Sequence, residues 1–168
     1  MMKLQRILFI IMAVIVVGGV LTPNIAHAKI KSPTEGTKSA KTTYGEGSTV
    51  NLSLGYSIQS TEYLKSGNNY INLISNGIVR VGGDTQAYAP VDNIEVKLYL
   101  QRWDEIKGLW GDVINIGAFV LNQSSIVQGS KDVTVVKGYY YRTRSVHTVT
   151  EAGIVEQKTA YSSYIFVN

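Results

Sequence analysis

Alternation of apolar and polar residues dominates the second half of the chain. Residues 93–103 place Ile94, Val96, Leu98 and Leu100 at every second position. Successive side chains of a strand point to opposite faces, so these four residues predict one buried face of a half-buried strand. The other face would carry Glu95, Lys97, Tyr99, Gln101 and Trp103.

A second long strand is predicted over residues 137–149, which are rich in aromatic and β-branched residues. Its inward face would carry Tyr139, Tyr141, Thr143, Ser145 and His147. The opposite face holds Tyr140, Arg142 and Arg144, and it is predicted to face water because arginines are costly to bury without partners. The inward hydroxyl groups would then need hydrogen-bond partners.

Turn residues divide the rest of the chain into further short strands. Asn76-Gly77 lies between two β-type runs and predicts a hairpin, because both residues tolerate positive φ. Further turns are predicted within residues 60–69, at Gly82-Gly83-Asp84 and at residues 151–153. The remaining predicted strands are Thr49–Tyr56, Thr85–Tyr88, Leu109–Ile114, Phe119–Leu121, Asp132–Val136 and Tyr161–Val167. The pattern favours an all-β fold, an antiparallel β-sandwich.

The first 28 residues are typical of a secretory signal peptide. A basic start with Lys3 and Arg6 precedes an apolar run from Ile7 to Leu21, and Ala26-His27-Ala28 matches an A-x-A cleavage site. The apolar run is shorter than the ~20 residues that a spanning helix needs. We therefore expect a secreted, extracellular protein with no membrane segment beyond the signal. An uncleaved N-terminal anchor is the alternative.

Cleavage after residue 28 would leave 168 − 28 = 140 residues, enough for one domain. We interpret residues 29–48 as a flexible basic leader and residues 49–168 as the sandwich domain. The leader contains four lysines: Lys29, Lys31, Lys38 and Lys41. The remainder is close to neutral, which argues against a nucleic-acid partner, since phosphate binding needs clustered Lys and Arg. The alternative role for the leader is a basic arm that touches an anionic cell wall or membrane surface.

The sequence offers little catalytic or metal-binding chemistry. It has no cysteine, and His147 is the only histidine after residue 28, so the usual zinc ligand sets are excluded. Neither a phosphate-binding loop nor a nucleophile elbow occurs. Asp104, Glu105 and Asp112 leave open a pair of catalytic carboxylates, but we interpret them as solvated turn residues. A calcium site built on Asp84, Asp92 or Asp104 lacks the D-x-D-x-D-G spacing. We predict no catalytic residue, cofactor or metal.

The candidate binding site is an aromatic and arginine patch. It would combine residues of the two long strands: Tyr99, Trp103, Tyr140, Arg142 and Arg144. If these strands are neighbours, their outer side chains would meet, and arginine would stack on the aromatic rings. The plainer interpretation is ordinary cross-strand pairing that covers a sheet. The functional one is a flat recognition surface for a glycan or a protein.

Two stretches resemble parts of fibronectin type III domains. Tyr99-Leu-Gln-Arg-Trp-Asp104, followed by Trp110, resembles their C–C′ hairpin, and Gly138 to His147 resembles strand F. The resemblance implies an immunoglobulin-like sandwich with Tyr139 as the corner tyrosine, whose hydroxyl bonds nearby backbone. Thr143 and Ser145 replace the usual valine and alanine of that strand.

Behind the signal peptide, the same stretches also resemble a family of small secreted Firmicutes-type proteins of unknown function. That resemblance covers roughly residues 78–168, and it implies secretion and a β-sandwich without established site residues. We therefore expect a non-enzymatic extracellular binding or structural module, with a cell-wall glycan or an extracellular protein as its partner. The alternatives are a secreted enzyme acting on extracellular glycans and a bacteriocin-like or toxin-associated protein.

Overall fold

The computed structural model describes residue 33, residues 43–49 and residues 61–168. In these ranges the regular structure is entirely β: β1 (Tyr44–Ser48), β2 (Leu64–Ser75), β3 (Ile78–Asp104), β4 (Leu109–Thr134), β5 (Tyr139–Glu151), β6 (Ile154–Tyr161) and β7 (Ile165–Val167). Every strand pairing is antiparallel. The predicted all-β antiparallel fold is confirmed, whereas a sandwich of the fibronectin type III kind stays a prediction. No stretch of the described residues forms an apolar helix long enough to cross a membrane.

One long strand organises the sheet. The strand order is β1-β2-β3-β5-β6, with β4 also paired to β3 and β7 also paired to β5. The first part of β3 pairs with β2 and β4, and its second part pairs with β5 and β4. The pairing with β4 is irregular between Gln86 and Val91, beside Pro90. A break in the ladder with a proline beside it lets a strand bend, so β3 belongs to both parts of a curled sheet.

The curl brings the two ends of the sheet together. The backbone N–H of Ser163, just after β6, donates to the carbonyl oxygen of Glu46 in β1 at 2.9 Å. This approach depends on Gly47, because a Cβ there would overlap the carbonyl oxygen of Tyr161. A glycine is therefore required where β1 contacts the end of β6.

A carboxylate on β6 fixes the entry to β2. The Glu156 side chain accepts the backbone N–H groups of Glu62, Tyr63 and Leu64 at 2.6, 3.0 and 2.6 Å. Burial alone would raise the pKa of Glu156, but the three N–H donors outweigh it and hold that pKa below its usual value. β2 and β6 are thus joined by a charge-assisted contact across the curl.

The core lies inside the curl and confirms both predicted inward faces. On β3, Ile94, Val96, Leu98 and Leu100 are fully buried. On β5, Tyr141, Thr143, Ser145 and His147 are buried as predicted. Tyr139 lies on the same side, since its pairing partner Val167 is buried, but at the end of the strand it is 36% exposed. Further buried hydrophobic residues include Leu64, Ile71, Val79, Val81, Val149, Ile165 and Val167.

The polar part of this core is a hydrogen-bonded chain around His147. The imidazole lies 2.8 Å from Thr85 Oγ1 through Nδ1 and 2.7 Å from Ser145 Oγ through Nε2. Thr85 Oγ1 donates to the carbonyl oxygen of Glu95, so it accepts from Nδ1–H. Ser145 Oγ accepts from Asn69 Nδ2 at 2.7 Å and donates to Nε2. Burial lowers the pKa of His147 to about 4, so the ring is neutral. The inward hydroxyls therefore have the partners that the sequence required.

The predicted hairpin at Asn76-Gly77 and the predicted turn at residues 151–153 are confirmed. β2 ends at Ser75 and β3 begins at Ile78, with Gly77 at φ 78°. β5 and β6 are joined through Ala152 and Gly153, which have φ values of 49° and 80°.

Several predicted boundaries differ from the structure. The predicted turn at Gly82-Gly83-Asp84 is wrong, because β3 runs through these residues. The three short strands predicted over residues 109–136 are instead one long strand, β4, and the two residues that follow it. β2 begins at Leu64, inside a stretch predicted as turn, and β6 was missed except for its last residue. β1 occupies residues 44–48 at the end of the predicted leader, so the sheet begins before residue 49. The predicted signal peptide and most of the predicted strand Thr49–Tyr56 lie outside the described residues.

Candidate binding face

The two strands that carry the predicted patch are neighbours. In the antiparallel register of β3 with β5, Tyr99 pairs with Arg144 and Gln101 pairs with Arg142. Paired residues point to the same side of a sheet, so these four side chains share the outer face. The structure therefore brings three of the predicted residues, Tyr99, Arg142 and Arg144, together with four others. We call this set the arginine–aromatic face: Tyr99, Gln101, Trp110, Asp112, Arg142, Arg144 and Tyr161.

Arg144 links three strands of this face. Its guanidinium carbon lies 3.9 Å from the centroid of the Tyr99 ring. Its Nε and Nη2 donate to Asp112 Oδ1 and Oδ2 at 3.1 and 2.6 Å. The hydrogen bond from Arg144 is the main reason that the pKa of Asp112 lies below its usual value. A bidentate pair that is also stacked holds the guanidinium in one orientation.

Arg142 is held in the same manner one pair further along. Its guanidinium lies 4.4 Å from the Trp110 ring and 4.5 Å from the Tyr161 ring. Its Nε donates to Gln101 Oε1 at 2.8 Å, and Gln101 Nε2 donates to Asp112 Oδ1 at 2.8 Å. The two arginines therefore belong to one network of stacking and hydrogen bonds.

Beside the arginines, on the same side of the sheet, lies a cluster of five aromatic rings. Ring centroids are 5.4 Å apart for Trp103 and Trp110, 5.9 Å for Trp110 and Tyr164, 5.6 Å for Tyr140 and Tyr164, and 4.9 Å for Tyr140 and Phe166. Trp103 and Tyr140 are only 8% and 9% exposed, so the prediction that they form part of an open surface is wrong. They lie on the same outer side of the sheet as the arginines, where Trp110, Tyr164 and Phe166 pack against them.

Four members of the face were not part of the predicted patch, although turn geometry could have found most of them: Gln101, Trp110, Asp112 and Tyr161. A hairpin centred on residues 105–108 pairs Trp103 with Trp110. Counting back from the Ala152-Gly153 turn pairs Arg144 with Tyr161. Asp112 was considered only as a catalytic carboxylate, and its ion pair with Arg144 needs the placement of β4 beside β3.

The tyrosine at the start of β5 differs from the fibronectin-like expectation. Tyr141, rather than Tyr139, donates its hydroxyl to the carbonyl oxygen of Val136 at 2.7 Å. Tyr139 instead lies under Arg102, whose guanidinium is 4.5 Å from its ring centroid. The assignment of Tyr139 as the corner tyrosine is therefore wrong by two residues.

The carboxylates considered for catalysis have local structural roles. Asp104 Oδ1 accepts the backbone N–H groups of Ile106 and Lys107, each at 3.0 Å, and these bonds, that of Lys107 foremost, lower the pKa of Asp104. Asp112 is paired with Arg144. Among the described residues no group of three or more His, Cys, Asp or Glu side chains could hold a metal ion.

Comparison with known proteins places the chain in a family. No curated protein and no solved structure matches it. The model of a family of unknown function, DUF6147, matches residues 25–164. This match spans most of the 168 residues. The chain therefore belongs to DUF6147, a family of unknown function.

Proposed function

We propose that this protein is a non-enzymatic extracellular binding module and that the arginine–aromatic face is its recognition surface. The observation that carries the proposal is the pair of arginines, Arg142 and Arg144, each stacked on aromatic rings and hydrogen-bonded in a fixed orientation. Groups that are ordered before binding lose less conformational entropy when a ligand arrives. Arginine and aromatic residues are also the side chains most often found at the energetic centre of interfaces.

The chemistry of the face favours a ligand with both anionic and apolar groups. Arg144 has N–H groups beyond the two that bond Asp112, and Tyr161 offers a ring that is 48% exposed. A cell-wall glycan that bears carboxylate or phosphate groups has both features, and so does an acidic protein segment. The signal-peptide pattern of residues 1–28 supports a location outside the cell, where either ligand would be met.

Binding is favoured over glycan hydrolysis by the state of the carboxylates. A general acid needs a raised pKa, but the pKa values of Asp104 and Asp112 are both lowered. Asp112 is also engaged by Arg144 and Gln101. No observation in the described part of the chain favours the enzymatic or the toxin-associated alternative.

The proposal also includes a specific type of fold and a bacterial source. We interpret the curled sheet as a sandwich related to fibronectin type III domains. The hairpin that joins Trp103 to Trp110 and the backbone-bonded hydroxyl of Tyr141 support this interpretation. Secretion by a Firmicutes-type bacterium is part of the proposal on the strength of the sequence resemblance.

The proposal is tested by retention of the purified protein on cell-wall sacculi and on insoluble polysaccharides. Arg142→Ala and Arg144→Ala should each reduce retention at least about tenfold, as loss of a stacked, charge-assisted contact worth ~1.4 kcal/mol would. Arg80→Ala is the matched control, because Arg80 also makes a bidentate pair with an aspartate of β4, at 2.7 and 2.9 Å to Asp132. Trp103→Ala is less suitable, because that side chain is buried.

Each result separates two interpretations. Retention that is lost in the Arg142 and Arg144 variants but kept in Arg80→Ala would support the arginine–aromatic face. Retention unchanged in all three variants, but abolished by salt or by deletion of residues 29–41, would assign binding to the basic leader instead. No retention on any wall material would exclude a wall glycan and direct the search to a protein partner.

A further inference from the structure

A second polar surface lies on the outer side of the first part of β3. Here the outward residues of β2, β3 and β4 line up in rows across the sheet. One row contains Tyr70, Gly82 and Ser130, and the next contains Asn68, Asp84 and Gln128. The inward neighbours on β3, such as Val81 and Thr85, are fully buried. Hydrogen-bonding side chains and one aromatic ring therefore share this surface.

A depression lies beside the Tyr70 ring on this surface. Gly82 has no side chain, and the Tyr70 ring lies against it, since a Cβ at Gly82 would overlap that ring. Ser130, on the other side of Gly82, is small. Next to the ring, β3 and β4 form a cleft of about 300 Å³ lined by Tyr70, Gly83, Asp84, Gln128, Gly129 and Ser130. A cleft of this volume lies at the lower end of small-molecule sites and is large enough for one small ring.

The groups around the cleft are oriented for hydrogen bonding. Asn68 Nδ2 donates to both oxygens of Asp84, at 3.3 and 3.1 Å, and Gln86 Nε2 donates to Asp84 Oδ2 at 3.3 Å. An ionised carboxylate has about four acceptor positions, so Asp84 is fixed in orientation and can still accept from a ligand. The Gln128 amide and the Ser130 hydroxyl can each donate and accept.

The lining residues indicate a neutral ligand. The cleft contains one carboxylate and no lysine or arginine. The nearest cation along β3, Arg80, is paired with Asp132 at 2.7 Å. A phosphate or carboxylate ligand would meet Asp84 without a compensating positive charge, which is unfavourable. Adjacent hydroxyl groups on a ring, which donate and accept side by side, match the carboxylate, amide and hydroxyl of the cleft.

A second ring extends the surface along β1. Tyr44 stacks with Tyr70 at a centroid distance of 6.2 Å and an interplanar angle of 22°, and it is 47% exposed. Both rings lie on the same outer side of the sheet as the cleft. An exposed aromatic ring can pack against the apolar C–H face of a sugar while neighbouring polar groups bind the sugar hydroxyls.

We infer that the cleft formed by Tyr70, Asp84, Gln128 and Ser130 binds one pyranose unit of a neutral glycan, with Tyr44 in line to contact the next unit. This site goes beyond the proposed function, because it lies on the other part of β3 from the arginine–aromatic face. The two surfaces would take chemically different parts of an extracellular polymer, one neutral and one anionic. Each can be removed without altering the other.

The test is affinity electrophoresis of the full chain in native gels that contain soluble neutral polysaccharides: hydroxyethyl cellulose, galactomannan, xylan and glycol chitin in its acetylated form. We expect retardation by at least one of them. Gln128→Ala and Asp84→Asn should weaken this retardation at least about tenfold. Gln157→Ala is the matched control, since Gln157 is an exposed amide on β6 that bonds only the Thr148 hydroxyl at 3.1 Å.

The outcomes distinguish the two surfaces. The cleft would be supported if Arg144→Ala leaves the retardation intact and Gln128→Ala abolishes it. This conclusion does not depend on the result of the cell-wall retention experiment. No retardation in any of the four polysaccharides, or retardation that persists in both cleft variants, would overturn the proposal. Retardation lost in Arg144→Ala but kept in Gln128→Ala would also overturn it and would assign neutral glycans to the arginine–aromatic face. Gln128 is exposed on an edge strand, so its substitution should leave the fold intact.

Discussion

His147 shows how a single residue can connect stability to pH. The ring is fully buried between Thr85 and Ser145, and its environment holds it neutral. Protonation inside the fold would place an unpaired charge in the core, whereas the unfolded chain can bind the proton freely. The stabilising effect of a neutral His147 is therefore complete above its unfolded pKa and decreases as the pH falls.

We predict that the free energy of unfolding decreases by about 2 kcal/mol between pH 6.5 and pH 5. The pKa of His147 is about 4 in the folded state and 6.5 in the unfolded state, so only the unfolded chain binds the proton in this window. Urea unfolding at pH 7.5, 6.5, 5.5 and 5 measures the slope. His147→Gln should be less stable at pH 7.5 but should show little slope in the same range. An equal slope in the variant would assign the effect to other groups.

At the scale of the element, charged pairs tie β4 to the strands beside it. Arg144 on β5 reaches across β3 to Asp112 on β4, and Arg80 on β3 bonds Asp132 on β4. Both pairs are bidentate and similar in length, but their exposure differs. The side chains of Arg144 and Asp112 are 20% and 39% exposed, whereas those of Arg80 and Asp132 are 45% and 42% exposed. Solvent screening should therefore weaken the second pair more.

We predict a larger coupling energy for the less exposed pair. A double-mutant cycle of Arg144→Ala and Asp112→Ala should give about 1 kcal/mol, after allowance for partial exposure. The corresponding cycle of Arg80→Ala and Asp132→Ala serves as the comparison and should give a smaller value that disappears in 1 M salt. Both cycles are read from chemical unfolding at pH 7. Equal coupling in the two cycles would show that stacking and burial around Arg144 add nothing.

At the scale of the whole molecule, contact between distant ends of the sheet maintains the curl. β1 and the residues after β6 are joined by the backbone bond from Ser163 to Glu46. Glu156 adds a second connection between β6 and the entry to β2. These contacts join segments far apart in the chain, so they form only when the sheet has curled.

We predict that Gly47→Ala destabilises the fold by about 2 kcal/mol, because its Cβ would overlap the Tyr161 carbonyl and force β1 away from β6. Gly111→Ala is the matched control, since Gly111 also lies in a strand and a Cβ there meets no atom within 4 Å. Thermal and urea unfolding of both variants measure the difference. Equal stability of the two variants would show that the closure between β1 and β6 contributes little.

Much of the local structure could be predicted from the sequence, because strand faces and tight turns depend on neighbouring residues. The two-residue period of a strand identified the buried faces of Ile94–Leu100 and of Tyr141–His147. Tolerance of positive φ identified the turn at Asn76-Gly77, where Gly77 adopts it, and the turn at residues 151–153 contains Gly153 in the same region. The same period placed Tyr99 and Arg144 on outer faces that would form one patch if the two strands were neighbours, and the pairing of β3 with β5 meets that condition.

Only the tertiary structure decided which outer residues are exposed and where strands end. Trp103 and Tyr140 are buried because Trp110, Tyr164 and Phe166 arrive from distant parts of the chain. The glycines near Asp84 remain in a strand because β2 and β4 pair with them on both sides and the Tyr70 ring covers Gly82. The sequence by itself determined which residues face inward along each strand, since that depends on backbone geometry. The curl, the cluster of five aromatic rings and the polar cleft depend on contacts between distant segments, which local patterns do not encode.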